Sequence, residues 1–204
     1  MIRVDSAGPI CTLTIDRPDK AGALTAAMLE DLIAAVEDAQ QAPALILTGT
    51  GRVFSAGADL DAAKAGLATS PLWEALSGAI AALPGLTIAA LNGTVAGGAN
   101  GMVLACDLRI AAPGAKVFYP VMKLGYLPQP SDPKRMAALI GPARTKLILL
   151  AGQKIDAQTA HSFGLIDEIV TEGDVLSRAH ALCADTVAAD PATAQAIKAL
   201  CTPV

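Results

Sequence analysis

Two short, uninterrupted apolar runs constrain the fold more than any other feature of the chain. Ala44-Leu45-Ile46-Leu47-Thr48 empties into Gly49-Thr50-Gly51, and Thr87-Ile88-Ala89-Ala90-Leu91 ends at Asn92-Gly93. A strand with one wet face alternates apolar and polar residues, whereas an unbroken run needs cover on both faces, as in a parallel sheet layered with helices. A helical pattern precedes each run. Met28, Leu29, Leu32, Ile33 and Val36 recur at the 3.6 period behind Thr25, a natural N-cap, with Glu30, Asp31, Glu37 and Asp38 largely on the other face. Ser70-Pro71 supplies an N-cap and first-turn proline for a helix over 71–83. Helix, buried strand and glycine loop, twice over, predict an α/β architecture with repeated ββα-like turns.

Around this frame, Ile2 to Ile15 alternates on either side of Ser6-Ala7-Gly8-Pro9 and reads as a hairpin. Asp132-Pro133, Gly141-Pro142, Asp156 and Asp190-Pro191 read as helix starts, and Gly152 and Gly164 as C′ glycines. From about Pro133 on, the chain is expected to be mostly helical. With no linker, repeat or low-complexity stretch in 204 residues, one domain is expected over 1–204, with a core over about 1–130 and a helical region over about 131–204.

The composition is 53% hydrophobic, 3% aromatic and 17% charged, against about 25% charged in average chains. A bilayer span needs roughly 20 nearly uninterrupted apolar residues, and the most apolar stretch, Leu86 to Ala112, is broken by Asn92, Asn100, Asp107 and Arg109. The excess is largely alanine, suited to close packing. A net charge of −4 with no basic run argues against nucleic acid. Cys11, Cys106, Cys183 and Cys201 lie far apart with no CxxC spacing, which predicts reduced thiols and no metal site. The N-terminus MIRVDSAGPI lacks a signal-peptide layout, so a cytoplasmic protein is expected.

No G-x-S-x-G elbow, Walker A lysine or G-x-G-x-x-G is present, and His161 and His180 sit at helical positions without partner spacing. The informative segments are two small-residue loops, Phe54-Ser55-Ala56-Gly57-Ala58-Asp59-Leu60 and Asn92 to Gly101, the second running into an apolar helix Met102–Cys106. Residues without bulk let a ligand reach the backbone, and Gly98 would lie at a helix N-terminus. One N–H from each loop would hold an enolate or tetrahedral oxyanion, at roughly 3 kcal/mol per donor. Small residues also serve close helix–strand packing, and spacing alone leaves both uses open.

Taken together, Arg17-Pro18-Asp19-Lys20 with Ala23-Leu24, the Leu-Ile-Leu-Thr-Gly strand, Phe-Ser-Ala-Gly-Ala-Asp-Leu, Ala90-Leu91-Asn92-Gly93 with Gly97-Gly98, Ala105 to Ala111, Leu124-Gly125, and Ala160 with Gly164 to Asp167 resemble the enoyl-CoA hydratase/isomerase (crotonase) superfamily, in order over about residues 2–170. The resemblance implies a crotonase (ClpP-like) spiral of ββα units with a helical C-terminal part. It also implies an acyl-CoA thioester substrate, with no cofactor beyond that coenzyme A. In the family the thioester carbonyl sits between two backbone N–H groups, which map onto Ala58 and Gly98. The adenine-phosphate end of CoA maps near Lys20, Ala21 and the segment Ala56 to Leu60. Within that segment Asp59 reads as fixing its own loop, and Lys20 reads equally as a phosphate contact or a solvated turn lysine.

The chain departs from the family where protons are moved. Hydration needs two carboxylates, and the hydratase-type glutamate positions fall at Gly101 and Val121. Glu74, at the level of the helix where the family's aroyl-CoA dehalogenases look to carry a functional histidine, is the candidate acid/base. Its alternative is a solvated first-turn glutamate. Asp132 reads as a helix cap, Tyr119 and Tyr126 as packing residues, and Gln129 as a group that can only position. The expected activity is enolate-stabilising acyl-CoA chemistry, isomerase-type or another proton transfer rather than ordinary hydration; the alternative is a catalytically silent acyl-CoA-binding or partner subunit. The resemblance also implies a homo-oligomer, such as a trimer. The chain stops soon after Pro191–Leu200, whereas family members continue with further helices, so the expected pocket is either more open or closed by a neighbouring subunit.

Overall fold

A computed structural model of the chain describes residues 1–171 and 174–201. Its strands are β1 Ile2–Asp5, β2 Ile10–Ile15, β3 Ala44–Gly49, β4 Val53–Ser55, β5 Leu86–Leu91, β6 Thr94–Ala96, β7 Leu108–Ala111, β8 Lys116–Phe118, β9 Ile155–Asp156 and β10 Glu168–Ile169. Its α-helices are α1 Ala26–Asp38, α2 Leu60–Lys64, α3 Leu72–Ala81, α4 Ala99–Ala105, α5 Val121–Leu124, α6 Asp132–Leu149, α7 Ala157–Phe163, α8 Val175–Leu182, α9 Ala184–Ala188 and α10 Pro191–Cys201.

The strands form a six-stranded sheet in the order β1-β2-β3-β5-β7-β10 and a four-stranded sheet in the order β4-β6-β8-β9. From β2 to β10 the larger sheet is parallel, with β1 folded back antiparallel as the expected hairpin. The two apolar runs are β3 and β5, side by side at its centre. Their lack of alternation has the expected cause. Leu45, Leu47, Ala89 and Leu91 pack into the main core, while Ala44, Ile46, Ile88 and Ala90 join Ile110 on the other face under Val175, Ala179 and Cys183 of the α8 region.

Local signals account for most boundaries. Thr25 caps α1 by accepting from Met28 N–H at 3.3 Å, and Asp156 caps α7 by accepting from Thr159 N–H at 2.8 Å. Gly164 closes α7 in the left-handed region at φ 87°. Gly141, with φ 78° and ψ 161°, breaks α6 so that a second helical segment starts at Pro142. Two expectations shift: the helix after Ser70 spans only Leu72–Ala81, and the apolar helix begins at Ala99 rather than Met102. Gly152, at φ 64°, lies beyond the C-cap of α6, which is Leu150.

The resemblance motif around Arg109 is a clasp between β7 and the segment before β10. The buried guanidinium donates to the carbonyls of Cys106 (2.7 Å), Leu165 (3.0 Å) and Asp107 (3.3 Å) and pairs with Asp167 at 2.9 Å.

Candidate active site

The smaller sheet carries both small-residue loops. β4 and β6 run parallel, pairing Val53 with Thr94 and Ser55 with Val95, and each hands over to a loop at the same end. The loops touch at Gly57 and Gly97. A Cβ built on Gly57 would stand 2.8 Å from the Ala96 carbonyl, and the Gly57 backbone holds φ 87°, so the approach and the turn both require glycine there.

Ala58 follows immediately, bridged to Leu24: Leu24 N–H donates to Gly57 O and Asp59 N–H to Leu24 O, each at 2.8 Å. Gly98 is the N-cap of α4. That helix has seven residues, so what it offers a ligand is chiefly the Gly98 N–H and not a long helix dipole. Among the described residues, neither Ala58 N–H nor Gly98 N–H has an acceptor, and both residues are half-buried. Trp73 of α3 backs Gly98, with ring atoms 2.9 Å from where a Cβ would lie, and is itself fixed by an indole N–H bond to Leu67 O at 2.8 Å.

Asp59 fixes its own loop, as expected. It caps α2 by accepting from Asp61 and Ala62 N–H, and it binds Arg17 at 2.9 Å. The Ala62 N–H above all, with Arg17, holds its carboxyl below the usual range. Arg17 also donates to Ala23 O, and Ala21 O accepts from Ala56 N–H, so the Arg17–Ala23 turn is sewn to this loop. Lys20, Ala56 and Leu60 are exposed at its surface and Ala21 is half-buried beside them.

Next to Gly98 lies a polar cluster that sequence reasoning only half identified. Glu74 of α3 accepts at Oε2 from the N–H (3.3 Å) and hydroxyl (3.1 Å) of Ser131, and Arg135 donates to the same hydroxyl at 2.7 Å. Glu74 therefore holds the start of α6, and is half-buried rather than solvated.

Asp132 departs from its expected role as a cap. It is the first residue of α6 and makes no capping bond. Its fully buried carboxyl instead accepts at Oδ2 from Tyr119 O–H at 2.9 Å. Its other oxygen, Oδ1, has no partner among the described residues. Burial pushes the carboxyl up to about 6 and the negative charge of Glu74 adds to the rise, against the pull of Tyr119 and Arg135. Burial, then the charge of Asp132, drives the Tyr119 hydroxyl far above its ordinary range.

Tyr119 packs as expected, 3% exposed, and its satisfied hydroxyl also accepts from Gln129 N–H at 3.5 Å. Gln129 positions through its backbone, and Tyr126 is 40% exposed. Gly101 touches this cluster directly, whereas Val121 is simply buried. His161 and His180 lie exposed on α7 and α8, outside it.

A sequence model of the enoyl-CoA hydratase/isomerase family matches residues 5–203. The chain belongs to this family. Among curated relatives, a Rhodobacter capsulatus protein named "Probable enoyl-CoA hydratase" is 36% identical over 179 residues, covering 85% of this chain and 70% of its own. The crystal structure of an enoyl-CoA hydratase from Bacillus anthracis superposes with a TM-score of 0.88 at 29% identity, over 95% of this chain and 79% of that one. DspI from Pseudomonas aeruginosa superposes with a TM-score of 0.89 at 30% identity, over 98% and 85%. The fold is thus that of the crotonases, as the motifs implied. Among the described residues no helix is long and apolar enough to cross a membrane.

Proposed function

We propose that this enoyl-CoA hydratase/isomerase family member holds an acyl-CoA thioester with its carbonyl oxygen between Ala58 and Gly98 N–H. It stabilises the enolate formed there and moves a proton between carbons rather than adding water. One observation carries the reading: two acceptor-free, half-buried backbone donors stand on adjoining loops whose contact at Gly57 and Gly97 sets their separation. Donors fixed before the reaction need not reorganise as charge develops on the oxygen, which is where such groups lower a barrier most.

Isomerisation is favoured over hydration because Gly101 and Val121 carry no proton-transferring group, and the acid that lies against Gly101 is Asp132, while Glu74 is tied to Ser131 at the start of α6. One carboxylate suffices to carry a proton from one carbon to another. Coenzyme A would lie along the Arg17–Ala23 turn, with Lys20 toward a phosphate and Ala21, Ala56 and Leu60 lining the approach. Asp59, spent on Arg17 and α2, would support the loop from behind.

The test is incubation with enoyl-, 3-hydroxyacyl- and aroyl-CoA thioesters in deuterium oxide, read by mass spectrometry. Deuterium uptake at the α- or γ-carbon is expected even without net conversion. Tight binding of the thioesters with no uptake from any of them would instead identify a silent acyl-CoA-binding subunit.

A further inference from the structure

Gly101 stands three residues after Gly98 on α4, hence on the same side of that helix and about 4.5 Å further along its axis. The Asp132 carboxylate lies directly against it: a Cβ on Gly101 would be 2.9 Å from Oδ1 and 3.3 Å from Oδ2. So a buried carboxylate with one oxygen that has no partner among the described residues sits one helical turn from a proposed oxyanion donor. In a thioester whose oxygen is held at Gly98 N–H, the α-carbon is two bonds and the γ-carbon four bonds from that oxygen. A base one turn away is placed to serve both.

We propose that Asp132 is the catalytic acid/base of this enzyme, acting through Oδ1, with Tyr119 as its positioning residue. This assignment rests on the enolate reading. The α-C–H bond breaks, its proton passes to Oδ1, and its electron pair enters the thioester to give a dienolate whose negative oxygen is held by Ala58 and Gly98. The proton then returns from Oδ1 to the γ-carbon as the double bond moves, so atoms and electrons balance without water or any other co-reactant. Gly101, by having no side chain, leaves room for the carboxylate.

Glu74 is the weaker choice because it holds Ser131 at the start of α6, whereas the three atoms nearest a Cβ on Gly101 all belong to Asp132. A carboxylate kept only to anchor Tyr119 would have no reason to leave its second oxygen buried and unpaired. The excursion from Pro120 to Pro128 flanks this carboxyl: its ends meet at Tyr119 Oη and Gln129 N–H, and its Met122, Leu124 and Leu127 are exposed.

The experiment measures deuterium exchange into short, medium and long straight-chain 2- and 3-enoyl-CoA thioesters for the wild type, Asp132→Asn, Glu74→Gln and Tyr119→Phe, with thioester Kd and melting temperature for each. Asp132→Asn should lower exchange by about 100-fold or more with Kd changed less than about threefold. Exchange in Asp132→Asn within about threefold of wild type would overturn the assignment while leaving the enolate reading intact. So would a larger loss in Glu74→Gln than in Asp132→Asn.

A wild type that binds these thioesters but exchanges nothing overturns the enolate reading and the assignment together. Should Asp132→Asn fold poorly, Tyr119→Phe decides. Removing its hydrogen bond should move the pH midpoint of exchange upward, and an unmoved profile counts against Asp132.

Discussion

The carboxylate of Asp132 occupies the space that a side chain on Gly101 would fill, its Oδ1 lying 2.9 Å from the position of the missing Cβ. The two residues are 31 apart in sequence, and an acid on α6 thereby stands where α4 has none. Gly101→Ala should consequently lower exchange activity at least tenfold with thioester Kd little changed. It should also cost about 1 kcal/mol of stability, because overpacking of 1–3 kcal/mol outweighs the helix-propensity gain of alanine. Activity assays and urea melts check both.

The pH dependence of stability tests the state of Asp132. Its carboxyl is raised from 3.8 to about 6 in the folded chain. A raised folded value means that the contribution to stability is complete below about pH 4 and is lost as pH rises through about 6. Relative to Asp132→Asn, the wild type should lose on the order of 3 kcal/mol between pH 4 and pH 7. Urea denaturation of both proteins across this range should diverge in that direction, and parallel curves would show an unshifted carboxyl.

The same ionisation governs the rate. As a base, Asp132 acts when ionised, in a site faced by Tyr119, Arg135 and Glu74. Exchange should rise about tenfold from pH 5 to pH 7 and then level off. A profile already flat above pH 5 speaks against this group.

Gly57→Ala tests the loop contact. The substitution meets the Ala96 carbonyl at 2.8 Å and forces a side chain onto φ 87°. Destabilisation of about 1–3 kcal/mol is expected. A loss of exchange of tenfold or more should accompany it, as Ala58 N–H shifts relative to Gly98 N–H.

Arg109→Ala separates structure from chemistry. It leaves the carbonyls of Cys106 and Leu165 without their guanidinium donor and the Asp167 carboxylate with only the backbone N–H of residue 109, at a cost of about 3–5 kcal/mol. For a domain of this size the melting temperature should fall by about 10 °C. Below the melting range, exchange per folded molecule should stay within about threefold of wild type.

Much of the frame was legible in the sequence because burial on two faces writes an unbroken apolar run, as in β3 and β5. The two small-residue loops were legible as such, with N–H donation and close packing both left open by spacing, and the family resemblance singled out Ala58 and Gly98 as the proposed donors. Asp132 was misread because Ser131-Asp132-Pro133 carries every local sign of a helix start, and it is one. Local pattern cannot reveal that Tyr119 and Gly101, distant in sequence, frame the same carboxyl. A glycine inside the apolar helix α4 was the available signal, since such a residue marks a close approach by another group.

The cover that α8 places over Ala44, Ile46, Ile88, Ala90 and Ile110 has a consequence for how the chain is made. The central strands leave the ribosome well before Val175, Ala179 and Cys183 are synthesised, and the last strand of the large sheet, β10, comes late as well. Until then one apolar face of the nascent sheet stays bare to the cell, in a topology built from sequence-distant pairings that close slowly. Completion of the fold is therefore deferred until α8 has been made, and a chain truncated ahead of α8 should aggregate instead of persisting as a smaller domain.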